Sequence, residues 1–232
     1  MEKGVKMDSN RKTAIIVGAL FIIATVSTLV SSVFIGSIYD PNYLTAVSAN
    51  ENQVLIAVLI WLVAIASIVS IPIMIYPILK KHSESLALGY VATRIFEGFF
   101  YAGCIIALLS ILTLSREFVS ATAPVVSYFE TSGSLLLAEL DWNSLLLDFP
   151  FVLSALILNY VLYKSKLIPR WLSGWGFIGG LIYLPGILIG MFGLTDPTIL
   201  FAPLGLQEMA LAAWLIAKGF NSSAITAQSS QS

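Results

Sequence analysis

The sequence predicts an all-α fold: a polytopic membrane bundle of six transmembrane helices with both termini on the cytoplasmic side. Three observations lead there. The chain of 232 residues is 58% hydrophobic and 11% charged, with a mean hydropathy of +0.91. Water-exposed domains run roughly 45–50% apolar and about 25% charged, so this chain lacks the polar surface to coat itself in water. Its apolar residues gather into six stretches, each near the ~20 residues that a helix needs to cross a hydrocarbon core of ~30 Å. Finally, ten of its 12 basic residues fall on one side of those stretches.

The stretches run over Thr13–Ile38, Val54–Leu79, Leu86–Leu114, Leu135–Tyr163, Trp171–Gly193 and Ile199–Ala217. Lipid offers no partner for backbone polar groups, so each must be helical, and no strand-like alternation points to a β-barrel. The first stretch is too long for a signal-peptide core and no small-residue cleavage site follows it, so it stays as a helix. Lys3, Lys6, Arg11 and Lys12 precede it; Lys80 and Lys81 separate the second and third stretches. Lys164, Lys166 and Arg170 lie between the fourth and fifth, and Lys218 follows the sixth. The opposite loops carry only Arg116, so the positive-inside rule assigns both termini to the cytoplasm. Pro169, Arg170 and Trp171 read as a helix start at the interface.

Residues 1–220 are expected to form a single six-helix domain. The loops Tyr39–Gln53 and Ser115–Ser134 have room for short interfacial helices, with Tyr43 and Tyr128 as anchors. The Ser-, Ala- and Gln-rich tail at 221–232 predicts disorder. Pro72 and Pro185 are expected to interrupt the second helix of each three-helix half, as in transporters built from inverted repeats.

Several chemistries are excluded. One cysteine, Cys104, rules out disulfides, and a net charge of −1 leaves no basic face for nucleic acid. The one histidine, His82, sits in a loop beside Lys81, so neither a histidine metal site, bis-histidine haem ligation nor an intramembrane Ser-His-Asp triad can form. Gly174, Gly176 and Gly179 have the spacing of a dinucleotide loop, yet they lie inside an apolar helix with no preceding strand. Gly176/Gly180 and Gly186/Gly190 read instead as helix-packing surfaces. No cofactor is implied.

The informative residues are ionisable groups inside the spans, where a charge costs about 2.5–3.5 kcal/mol even on lenient scales. Counting from the end that carries the basic loops puts Arg94 at ~12 Å, Glu208 at ~15 Å, Glu97 at ~16 Å and Asp148 at ~22 Å. Asp141 falls near the outer interface, with Glu139 beyond it. Arg94 and Glu97 share a helix face that Tyr90 and Tyr101 extend. Asp141, Ser144, Asp148 and Asn159 follow helical spacing along one stripe, which should face the bundle interior. In a purely structural reading of the Arg94–Glu97 pair, Arg94 locks its helix to its neighbours. That reading explains the excess of acid less well, because one arginine cannot neutralise Glu97, Asp148 and Glu208 together. Those three also offer the oxygen ligands of a carboxylate site for a hard cation.

Three segments, Ala87–Gly98 (ALGYVATRIFEG), Tyr163–Leu172 (YKSKLIPRWL) and Leu206–Phe220 (LQEMALAAWLIAKGF), resemble a prokaryotic family of multi-pass membrane proteins known only as a domain of unknown function, the DUF4386 type. The likeness runs from about Arg11 to Phe220. Its Arg-x-x-Glu pair falls on Arg94 and Glu97, its Pro-Arg-Trp motif on Pro169, Arg170 and Trp171, and its late Glu on Glu208. The resemblance implies a prokaryotic cytoplasmic membrane and a compact helical bundle, and it carries no activity.

Three functions compete. The first is binding or transport of a small cation, proton or polar solute at Arg94, Glu97, Asp148 and Glu208, with Tyr90, Tyr101, Asp141 and Asn159 around them. Six helices are few for a complete pathway, so a homodimer is expected. The second is a structural or regulatory membrane subunit whose ion pairs only fix helix packing. Third comes an intramembrane lipid-modifying enzyme, with Arg94 on a lipid phosphate and Glu97 or Asp148 as base. No nucleophile motif supports it, so an enzyme ranks last.

Overall fold

In a computed structural model, residues 9–122 and 125–229 are described. They form α1 Ser9–Phe34, a 3-10 turn Gly36–Tyr39, α2 Tyr43–Ala49, α3 Glu51–Leu79, α4 Glu84–Ser120, α5 Val126–Ser165, α6 Arg170–Met191, α7 Thr198–Ala217 and α8 Ser222–Ser229. Six of these, α1 and α3 to α7, are long and apolar enough to cross a membrane. Among the described residues there is no strand. The chain is therefore an all-α multi-pass membrane protein in contact with the lipid bilayer, as the hydropathy requires. Lys3 and Lys6 lie outside the described residues.

Each span packs against the one before it, and α7 returns to α1, so the six close into a ring. Two devices make that closure. A Cβ on Gly18 would come within 2.7 Å of the Ala212 carbonyl oxygen and 2.8 Å of Ile216 Cγ1, so only a glycine lets α1 and α7 meet there. Two turns earlier, Arg11 donates from Nη1 to the Leu215 carbonyl at 2.8 Å and from Nη2 to those of Ile216 and Ala217 at 2.6 and 3.2 Å. These belong to the last turn of α7, whose carbonyls have no intrahelical partner, and the cation complements the helix dipole. The surface of the ring is apolar: Leu29, Leu59, Phe96, Phe99, Ile178 and Leu206 are all exposed on it. A core of Val17, Ile75, Leu79, Leu158, Leu162 and Leu211 fills the end that holds the termini.

Three expectations need correction. The stretch Ser115–Ser134 is not an interfacial loop, because α4 and α5 run on into it. At 37 and 40 residues they are ~55 and ~60 Å long, well beyond a ~30 Å hydrocarbon core. The first outer loop does hold short helices, and Leu44 of α2 packs on Leu114 and Phe129 of the overhanging pair. Tyr43 is no lipid anchor but lies against Gly133. The prolines interrupt nothing: α3 continues through Pro72 and Pro77, and α6 through Pro185. After α7 comes helix α8, preceded by Asn221, whose N–H donates to the Leu167 carbonyl at 2.8 Å; residues 230–232 lie outside the described residues.

Between α3 and α4, burial and the neighbouring Lys81 ammonium hold the His82 imidazole below its ordinary pKa. The fold thus favours neutral His82. The resulting stability is complete above the unfolded value of about 6.5 and is lost as the pH falls through the lower folded one. Between about pH 7 and about pH 5 the thermal midpoint of wild type should fall further than that of His82→Gln. In a second test, Gly18→Leu should lower stability by about 1–3 kcal/mol through overpacking, read as a reduced thermal midpoint in detergent.

Candidate functional site

The ring of helices encloses a cavity of about 420 Å³, lined by side chains from all six spans. Two helices supply its polar walls with the same spacing. On α4, Arg94, Glu97, Tyr101 and Cys104 occupy positions i, i+3, i+7 and i+10; on α5, Asp141, Ser144, Asp148 and Phe151 do likewise. At 3.6 residues per turn each set forms one stripe, and both stripes face inward. Phe21 and Thr28 of α1, Trp61 of α3, Tyr183 of α6 and Glu208 of α7 complete the wall.

Arg94 is the centre of the charged part. Its side chain is 3% exposed, and its Nη1 donates to both Glu97 oxygens, at 3.0 Å to Oε2 and 3.3 Å to Oε1. Nη2 donates to Glu208 Oε1 at 3.0 Å, joining α4 to α7. Three rings surround the guanidinium carbon, Phe21 and Tyr90 at 5.7 Å and Phe151 at 5.5 Å. Cation–π contact of this kind strengthens when water is excluded. The Nε of Arg94 has no acceptor among the described residues, and the nearby Tyr90 hydroxyl makes no well-formed hydrogen bond.

Asp148 stands apart from this triad. Its Oδ1 accepts from the Tyr183 hydroxyl at 2.8 Å, and the Tyr183 ring stacks on Phe201 at 4.2 Å and meets Phe151 edge-on at 5.5 Å. Across the cavity the Tyr101 and Thr28 hydroxyls are 3.0 Å apart, with Trp61 edge-on to the Tyr101 ring. The cavity reaches the end opposite the termini at Tyr39 and Asp141, both exposed. Polarity is therefore graded, from exposed Asp141 through half-buried Asp148 to buried Arg94 and Glu97.

The residues singled out in the sequence thus divide. Arg94, Glu97, Asp148, Glu208, Tyr101 and Asp141 line one cavity, and Tyr90 is buried beside its arginine without lining it. Asn159 belongs elsewhere: its Oδ1 accepts from Gln207 Nε2 at 3.1 Å, its Nδ2 donates to the Ala155 carbonyl, and its amide fills the space over Gly176. It clamps α5 to α6 and α7. Tyr183, Trp61 and Thr28 were not singled out; a lone phenol inside the glycine-rich fifth span was the available sign for Tyr183. Among the described residues no three His, Cys, Asp or Glu side chains come together in a cluster that could hold a metal ion. Arg94 occupies the space between Glu97 and Glu208 instead.

Removing Arg94 alone leaves two buried carboxylates without their counter-charge. Arg94→Gln should therefore cost about 3–5 kcal/mol, whereas Glu208→Gln, which leaves the Arg94–Glu97 pair in place, should cost clearly less. Thermal unfolding of the two variants in one detergent checks the order.

No curated protein and no solved structure matches the chain. With six spans, the Arg94–Glu97 pair and Glu208 in one bundle, the sequence model of one family does match residues 16–219, and the chain belongs to that family, a domain of unknown function (DUF4386).

Proposed function

We infer that the protein binds a small monovalent cation, inorganic or ammonium, in the central cavity, as the binding step of a carrier. One observation carries the reading: four carboxylates share a cavity with one arginine, and two of them, Asp141 at the mouth and Asp148 inside, form no ion pair among the described residues. When Asp148 is ionised, the surplus negative charge lies among rings in a poorly hydrated space, where it attracts a cation strongly. Trp61, Tyr101, Phe151 and Tyr183 line the cavity, and an aromatic wall suits a weakly hydrated ammonium or potassium-like ion better than a divalent one.

The charge asymmetry supports placing the termini in the cytoplasm, so that Asp141 and Tyr39 face outward and admit the cation from that side. Asp141 and Ser144 would then guide it inward to Asp148. The Arg94–Glu97–Glu208 triad forms the floor. Both floor carboxylates are paired with Arg94, whereas Asp148 has no cation beside it, so the ion stops at Asp148. Passage to the other side would require the helices around Tyr90 and Phe21 to part.

A structural reading has one observation in its favour, since Arg94 joins α4 to α7 through Glu208. Ligand response separates the two. Addition of tetramethylammonium or potassium to purified protein should raise its thermal midpoint, and Asp148→Asn should abolish that rise while keeping the wild-type circular dichroism. If neither cation moves the midpoint of wild type, cation binding is wrong and the structural reading stands.

A further inference from the structure

At the end that holds the termini, the α5–α6 connection and the end of α7 enclose a groove of about 460 Å³. Lys166, Arg170 and Lys218 are exposed on its rim, while Leu167, Ile168 and Phe220 are buried in its floor. No carboxylate lines it. None of the three cations forms an ion pair among the described residues. Like charges brought to one groove repel, and nothing in the fold offsets them.

The arrangement is held in place. Asn221 links the two chain segments, its N–H donating to the Leu167 carbonyl at 2.8 Å and its Nδ2 to that of Lys166 at 3.3 Å. Lys166 ends α5 with a φ of 56°, alone among the described non-glycine residues in having a positive φ. Glycine serves that left-handed position without strain, and asparagine tolerates it, so the lysine contributes nothing to the turn except its ammonium.

Aromatic rings surround the groove. Trp214 lines it and meets Trp171 edge-on at 6.4 Å, and the Arg170 guanidinium carbon lies 5.1 Å from the Tyr163 ring centre. Tryptophan and tyrosine gather at headgroup depth in membranes. A cationic rim over an apolar floor at that depth complements an amphiphile whose phosphate reaches the rim and whose glycerol and chains follow the floor.

We propose that this groove binds the headgroup of an anionic phospholipid, with the phosphate held between Lys166, Arg170 and Lys218. It uses none of the residues of the central cavity and stands or falls separately from it. The test uses the purified full chain in detergent, titrated with short-chain phosphatidylglycerol, phosphatidylcholine or inorganic phosphate, with binding read by thermal midpoint and native mass spectrometry. Phosphatidylglycerol should bind saturably and raise the midpoint; the other two should not. Replacing Lys166, Arg170 and Lys218 together by glutamine should weaken phosphatidylglycerol binding about a hundredfold, while Lys164→Gln, outside the groove, should leave it unchanged. Lys166→Gly separates charge from fold: it should be at least as stable as wild type without lipid, yet bind the lipid more weakly. Equal binding of the two lipids, or undiminished binding by the triple variant, overturns the proposal. So does inorganic phosphate acting as strongly as phosphatidylglycerol. If the triple variant does not fold, Lys166→Gly decides, and unchanged lipid binding there overturns it.

Discussion

A guanidinium in the middle of a membrane must be neutralised, and the helix arrangement follows that requirement. Arg94 takes one carboxylate from its own helix and one from α7, the span furthest along the chain. The first pairing is nearly automatic, since residues three apart on a helix are neighbours. The second needs α4 and α7 to face each other across the bundle. A closed ring meets that condition: the residues converging on the arginine come from opposite parts of the ring, and the charges sit at its centre, away from lipid.

Once the charges are inside, the surface pattern is the inverse of a soluble protein's. Phe96 and Phe99 flank Glu97 in sequence and are exposed, while Arg94 and Glu97 are buried. The same separation of faces holds on α5, where Phe149 is exposed beside Asp148. Lipid solvates the rings on the outside at no cost. Inside, the carboxylates are stabilised by partners of their own, a guanidinium for Glu97 and Glu208 and a tyrosine hydroxyl for Asp148.

Much of this was legible in the sequence. Hydropathy located all six spans, because the length of a crossing helix is set by the bilayer. Depth counting brought Arg94, Glu97 and Glu208 to one level, because rise per residue in a helix hardly varies. Azimuth was harder. Asn159 follows the spacing of Asp148, yet three turns further along the ring interior has given way to a packed junction with Gln207. Tyr183 was overlooked because a single phenol in an apolar span gives no periodic pattern; its role depends on which helix stands opposite. The overhang of α4 and α5 was missed for a different reason. Hydropathy marks where a helix leaves lipid, whereas its end in water depends on partners such as Leu44 and on the Arg116–Glu51 ion pair.

The clasp between the two ends of the ring has a consequence for how the protein is made. Arg11 leaves the ribosome long before its carbonyl acceptors, which follow 204 and more residues later. Until then the first span has no partner on that flank, and Gly18 leaves its backbone open to lipid. Assembly cannot finish one hairpin at a time: the bundle closes in a single last event, when the final span docks against the first. A chain arrested before α7 would have an open seam, and Arg94 would lack the carboxylate that joins it to the last span. Such a chain is distinguishable from the finished one, which gives quality control in the membrane a simple feature to act on.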